Sequence, residues 1–160
     1  MSKILIIAAT SDKNLELANE LQSLLRAMGT DSGLVVLDEL NLPLYSDEAD
    51  IESGVVEEII EKMKHASGFI FCAPEYNGSV PPVLSNAITW ISVKSKNWRD
   101  AFNGKFAVIG THSGGDGFRF LTAFRSQLEY MGTNVLARTI SITKEKPLRS
   151  EEHTSELQSQ

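Results

Sequence analysis

The sequence predicts a doubly wound α/β fold, with a five-stranded parallel sheet in the order 2-1-3-4-5 and helices on both faces. Short apolar runs, typical of strands buried on both faces, alternate with amphipathic segments that have helical periodicity. A helix between two strands forms a right-handed crossover, which makes the strands parallel. The 160 residues, 42% of them apolar, suffice for one such domain. We predict that this single domain spans residues 1–148.

Three strands and two helices are predicted in the first half of the chain. Residues 4–9 read ILIIAA and predict the first strand. Leucine and alanine recur every three or four positions over residues 14–28, and Gly29 follows, which indicates a helix and its end. Similar patterns predict a strand at 34–37, a helix at about 53–65 and a strand at 68–73.

Proline and glycine mark the boundaries in the second half. A helix is predicted from Pro81 or Pro82 to about residue 92, because the first helical position needs no N–H. Gly132 indicates the end of the next helix. The remaining elements are a strand at 105–110, a helix at 117–130 and a fifth strand at 135–142.

Composition excludes several functional classes. The net charge of −6 leaves no basic face for a nucleic-acid backbone. The only cysteine, Cys72, excludes a disulfide framework and a cysteine-based metal site. The apolar run at 4–9 is far too short to cross a bilayer and lacks the features of a signal peptide. We therefore expect a cytoplasmic protein that binds neither nucleic acid nor membrane and holds no metal.

The last twelve residues differ from the rest of the chain. Residues 149–159 read RSEEHTSELQS, which is similar to one reading frame of a common sequencing-library adapter, and they show no apolar periodicity. We expect residues 149–160 to be a non-native tail, and a C-terminal helix after the fifth strand to be missing. A genuine polar tail is the alternative.

The loop after the first strand contains several hydrogen-bond donors. In a sheet of this order, ligands bind at the carboxyl ends of the strands, where the chain reverses direction between the first and third strands. Thr10, Ser11 and Asn14 lie there at a helix N-terminus, which favours an anion. Ordinary helix capping by Ser11 or Asp12 explains the same residues. The loop matches neither a P-loop nor a GxGxxG turn.

The loops after the third and fourth strands are more distinctive. Residues 74–79 read PEYNGS, and Glu75 and Tyr76 are not turn residues. An aromatic ring beside the exposed backbone of Asn77 and Gly78 suits the edge of a planar ligand. Residues 112–118 read HSGGDGF, and their glycines let the backbone approach a ligand closely.

These segments resemble the NAD(P)H-dependent FMN reductases, a family with the flavodoxin-like fold. The family pattern is PEYNGS, a hydrophobic residue, then PG-x-LKNAIDW; this chain has PEYNGSVPPVLSNAITW and departs at Pro82, Ser85 and Thr89. The segments SGGDG and LPLY also match, and the resemblance covers about residues 3–142. The first loop departs most, with Ala9 in place of glycine and without the family's arginine.

The resemblance implies a reductase that uses FMN as cofactor and NAD(P)H as co-substrate, with a flavin, quinone or azo compound as the small-molecule acceptor. It implies a homodimer or homotetramer. No side chain is expected to act as catalytic acid or base, because the cofactor carries the chemistry. The first loop would hold the phosphate, and the other two loops would flank the ring. The implied cofactor-binding residues are Thr10, Ser11, Asn14, Leu15, Pro74, Glu75, Tyr76, Asn77, Gly78, Ser113, Gly114 and Gly115.

Two alternatives of other classes remain open. A flavodoxin-like electron carrier would hold FMN but recognise a protein partner instead of a nicotinamide. A protein of the same fold without FMN would serve as an interaction module.

Overall fold

Residues 2–148 are described by the computed structural model, and the predicted tail at 149–160 lies outside these residues. The strands are β1 (Ile4–Ala8), β2 (Ser32–Val36), β3 (Gly68–Cys72), β4 (Phe106–His112), β5 (Asn134–Val135) and β6 (Ile140–Ile142). The helices are α1 (Lys13–Ala27), α2 (Val55–His65), α3 (Pro82–Lys94) and α4 (Phe118–Tyr130). A 3-10 turn, Asp38–Leu40, follows β2.

The strands form one parallel sheet in the order β2-β1-β3-β4-β5, which confirms the predicted doubly wound topology. β1 pairs with β2 on one side and with β3 on the other. The chain therefore reverses direction next to β1, and the loops after β1, β3 and β4 lie along one edge of the sheet.

The predicted fifth strand at 135–142 is the main correction. Two short strands replace it, and both pair with β4: Asn134 lies opposite Phe106, and Ile140 lies opposite Gly110. Where β5 ends, the guanidinium of Arg125 on α4 donates hydrogen bonds to the carbonyls of Val135 (3.2 Å) and Leu136 (2.8 Å). These carbonyls are thus bound by a helix side chain, and the strand pairing is interrupted there.

Other boundaries shift by one to three residues. The helix predicted from residue 53 begins at Val55, because Gly54 precedes it with φ of 95° and the Glu57 carboxylate accepts the Gly54 N–H at 2.9 Å. β2 begins and ends slightly earlier than predicted, α3 continues to Lys94, and β4 continues to His112.

Helices cover both faces of the sheet, as predicted. Alternate strand residues such as Phe69 and Phe71 join the core beneath α2, α3 and α4, and the ring of Phe71 lies 4.9 Å from that of Phe124. The intervening residues, such as Ile70, pack with α1 on the other face. Cys72 belongs to this second core. Burial raises the pKa of its thiol to about 12, so the thiol stays protonated at neutral pH.

Residues 2–148 show neither a membrane-spanning helix nor a cluster of metal ligands. No helix there is long and apolar enough to cross a membrane. The same residues contain no group of three or more His, Cys, Asp or Glu side chains placed to hold a metal ion.

Candidate functional site

Asn14 joins the first and third of the predicted site loops. Its side-chain Nδ2 donates to the carbonyl of His112 at 3.0 Å, and its Oδ1 accepts the His112 N–H at 2.9 Å. Asn14 is only 1% exposed. Both polar atoms of the Asn14 amide therefore bind the backbone at the end of β4. These bonds fix the start of α1 against the loop after β4.

Asp12 caps α1. One of its carboxylate oxygens, Oδ1, accepts the N–H of Asn14 at 3.0 Å and the hydroxyl of Thr10 at 2.7 Å. Burial opposes ionisation of this carboxyl group, but the hydrogen bonds from Thr10 and Asn14 outweigh it and hold the pKa of Asp12 below its ordinary value. The capping alternative is therefore the arrangement that the structure contains.

Asp38 contacts the first of the predicted site loops, and the sequence did not point to it. Its Oδ2 accepts two hydrogen bonds from Ser11, one from the backbone N–H at 2.8 Å and one from the hydroxyl at 3.0 Å. Asp38 lies two residues after the end of β2, the neighbour of β1, so its carboxylate reaches the first loop. An acidic residue at the end of a strand adjacent to β1 is the signal that could have identified it.

The PEYNGS segment forms a tight turn at the end of β3. Asn77 and Gly78 have φ of 52° and 72°, and the backbones of Tyr76 and Ser79 exchange hydrogen bonds of 3.2 and 3.0 Å. The side chain of Tyr76 is 44% exposed. The turn therefore presents an aromatic ring and backbone groups to solvent, as a site for a planar ligand requires.

Glu75 holds this turn against the next loop. Its Oε1 accepts the N–H of Phe120 in the first turn of α4 at 2.7 Å, and its own N–H donates to Ser113 Oγ at 3.3 Å. Ser113 Oγ in turn lies 2.7 Å from Thr111 Oγ1. These contacts bring the second and third loops together and direct the Glu75 carboxylate at the helix N-terminus.

The glycines after β4 differ in whether the structure leaves space for a side chain at their position. A Cβ added to Gly114 or Gly115 would meet no atom within 4 Å, so open space lies beside both. Gly117 has φ of 69°, and a Cβ there would lie 2.6 Å from Thr111 Cγ2. Gly117 is thus needed for the fold, whereas Gly114 and Gly115 leave their backbone open to a ligand.

The LPLY segment is fixed by the segment that follows PEYNGS. Asn86 Oδ1 accepts the Tyr45 N–H at 2.8 Å, and Asn86 Nδ2 donates to the Pro43 carbonyl at 2.9 Å. Trp90 Nε1 donates to the same carbonyl at 2.7 Å. Two polar residues of α3 therefore determine the position of the loop after β2, and Leu44 remains 82% exposed on it.

The side chains of the remaining two predicted cofactor-binding residues, Leu15 and Pro74, are apolar and make packing contacts. Leu15 packs against the core on the α1 side, and Pro74 is buried at the end of β3.

Two cavities flank the crevice, one of about 360 Å³ beside Asp38 and one of about 610 Å³ beside His112. Both volumes suit small molecules, but neither cavity is lined by a predicted cofactor-binding residue.

The sequence is similar to a described family of oxidoreductases. A family model described as "NADPH-dependent FMN reductase" matches residues 2–146. A 2-hydroxy-1,4-benzoquinone reductase of Burkholderia sp is 36% identical over 107 residues, which are 65% of this chain and 55% of the relative. A quinone reductase of Escherichia coli K12 is 42% identical over 55 residues, which are 32% of this chain and 29% of the relative. The matched segment thus spans about half, or less, of these relatives.

Solved structures share the fold. The flavoenzyme FerB of Paracoccus denitrificans, an NAD(P)H:(acceptor) oxidoreductase, superposes with a TM-score of 0.76 at 21% identity, covering 99% of this chain and 92% of FerB. Flavodoxin 2 of Bacillus cereus superposes with a TM-score of 0.65 at 17% identity, covering 98% of this chain and 94% of the flavodoxin. At these identities, the likeness concerns the fold alone.

Proposed function

Because the chain belongs to the family of NADPH-dependent FMN reductases, we propose that it is an enzyme that transfers electrons from NAD(P)H through bound FMN to a small-molecule acceptor. The observation that carries this proposal is the open backbone of Gly114 and Gly115 beside the PEYNGS turn, at the edge of the sheet where the loops after β1, β3 and β4 lie. The turn has the family's PEYNGS sequence, and its backbone at Asn77 and Gly78 is exposed, as a flavin-binding turn requires.

The crevice fits the ring half of FMN. Tyr76 is half exposed, the turn at Asn77 and Gly78 turns backbone groups outward, and a ligand meets no side chain at Gly114. The phosphate half fits less well, since Asp12 and Asp38 already accept the donors of Thr10 and Ser11. The chemistry that bound FMN would supply at this crevice is the acceptance of a hydride from the nicotinamide.

The protein's own residues position the two reactants. Backbone groups of Asn77 and Gly78 bind the polar edge of the ring, and Gly114 and Gly115 allow it to approach the β4 loop. Glu75 and Asn14 fix the loops relative to one another, through Phe120 and His112 respectively. No side chain transfers a proton in this proposal, so catalysis depends on the distance and orientation of two rings.

Relatives named as quinone reductases favour a quinone-type acceptor. We further propose a cytoplasmic homodimer or homotetramer. Exposed apolar side chains in the described residues support an interface: Leu44 is 82% exposed, Val93 is 50% exposed, and Trp98 stacks on Tyr130 with ring centroids 5.8 Å apart.

An anaerobic reduction assay tests the function. The purified chain is mixed with FMN and then with NADPH or NADH, and the loss of flavin absorbance is followed. We expect bleaching at a rate proportional to protein concentration, followed by reoxidation on addition of a benzoquinone. FMN that binds but stays oxidised would contradict the reductase and favour an electron carrier. Absence of flavin binding would favour an interaction module.

A further inference from the structure

The donors of Ser11 already have an anionic acceptor. The backbone N–H and the hydroxyl of Ser11 both bind one oxygen of Asp38, at 2.8 and 3.0 Å. A phosphate at the start of α1 requires such donors, because it is held by hydroxyl and N–H groups at the helix N-terminus. A phosphate and the Asp38 carboxylate therefore compete for the same two hydrogen bonds.

The second carboxylate oxygen of Asp38 receives no hydrogen bond from the described part of the chain. Asp38 Oδ1 is buried and has no hydrogen-bond partner among residues 2–148. A buried carboxylate oxygen without a donor carries a desolvation cost. The loop also contains a second carboxylate, that of Asp12, which is the next residue after Ser11. A bound phosphate would thus lie near two negative charges.

We propose that Asp38 is a specificity-determining residue that disfavours the 5′-phosphate of FMN, so that this chain binds riboflavin and FMN with similar affinity. A phosphomonoester carries a charge of about −1.5 to −2 near pH 7, and like charges at contact distance repel. The ring and ribityl chain are common to both flavins and bind the other two loops. The inference rests on the proposed flavin-binding function, and it concerns only the phosphate end of the site.

The experiment measures dissociation constants of riboflavin and FMN for the flavin-free protein by quenching of flavin fluorescence. The variant is Asp38→Asn, which removes the charge and keeps an acceptor for Ser11. The matched control is Glu39→Gln, which removes one charge at the next, exposed position without touching Ser11. Thermal unfolding of each variant confirms that it is folded.

For the wild type, we expect the two dissociation constants to agree within about threefold. We expect Asp38→Asn to bind FMN about tenfold more tightly, with riboflavin unchanged, and Glu39→Gln to change neither.

Two results would overturn the inference alone: a wild type that prefers FMN over riboflavin by more than about tenfold, or an Asp38→Asn variant with weaker FMN binding. The wild-type comparison decides the matter even if the variant does not fold. If neither flavin binds the wild type or the variant, both the inference and the proposed function fail.

Discussion

The side-chain amide of Asn14 hydrogen-bonds both the N–H and the carbonyl of His112, 98 residues farther along the chain. This reciprocal pair connects the start of α1 to the end of β4 across the crevice. It gives a buried polar side chain two hydrogen-bond partners, and it fixes the distance between two of the loops that are predicted to form the site.

Replacing Asn14 with alanine should therefore destabilise the protein. The change leaves the N–H and carbonyl of His112 without their partner, and we expect a loss of about 2 kcal/mol in the free energy of unfolding. Urea denaturation measures it. The control is Asn134→Ala, which removes a single exposed hydrogen bond to the Lys105 carbonyl. Equal losses in the two variants would contradict the role given to Asn14.

Glu75 should contribute to stability through α4. Glu75→Ala removes the acceptor of the Phe120 N–H, and we expect a loss of roughly 1–2 kcal/mol in the free energy of unfolding. Glu75→Gln keeps an oxygen acceptor and should lose less than half as much. If both variants unfold like the wild type in urea, the contact with α4 has no energetic importance.

Gly114 and Gly117 should respond differently to substitution. Gly114→Leu places a side chain in open space, so it should preserve the unfolding midpoint while preventing flavin binding. Gly117→Ala introduces strain at φ of 69° and a contact with Thr111, and should cost about 2 kcal/mol. Flavin titration and thermal unfolding separate the two effects. Normal flavin binding by Gly114→Leu would show that the ligand lies elsewhere.

Trp90 should stabilise the loop after β2 through its indole N–H. Trp90→Phe removes the hydrogen bond to the Pro43 carbonyl but keeps an aromatic ring beside Tyr45, whose ring centroid lies 5.2 Å away. We expect a loss of about 1 kcal/mol in unfolding free energy. Trp98→Phe, at a 41% exposed position, is the control and should lose little. A larger effect at Trp98 would reverse this assignment.

Asp12 should make stability depend on acidic pH. Its pKa is lowered in the folded protein, so its contribution is complete above the unfolded-state value near 3.8 and is lost as the pH falls through the folded pKa. Asp12→Asn keeps a capping oxygen without the charge. We expect the wild type to be more stable than this variant above about pH 5 and the difference to shrink below about pH 3. Urea denaturation across this pH range measures it, and a constant difference would contradict the pKa shift.

Apolar runs such as ILIIAA and GFIFCA predicted where the buried strands lie, because each run is a local feature of the sequence. The order 2-1-3-4-5 was predicted from the common topology of five parallel strands joined by right-handed crossovers, and the structure has that order. The interruption between β5 and β6 could not be predicted, since it involves Arg125, which lies on another element. The same holds for the site. Residue type alone was enough to propose the glycines and Tyr76 as candidates, whereas the direction of Glu75 and the hydrogen bonds from Ser11 to Asp38 depend on which loops meet in space.

The interruption between β5 and β6 also affects whether a strand of another molecule can pair with this edge of the sheet. β5 and β6 contain two and three residues and form the edge of the sheet beyond β4. A foreign strand that docks on a sheet needs a long, regular row of free backbone groups. Because Arg125 binds the carbonyls of Val135 and Leu136, where β5 ends, that row is short and broken, and this edge is a poor template for fibril growth.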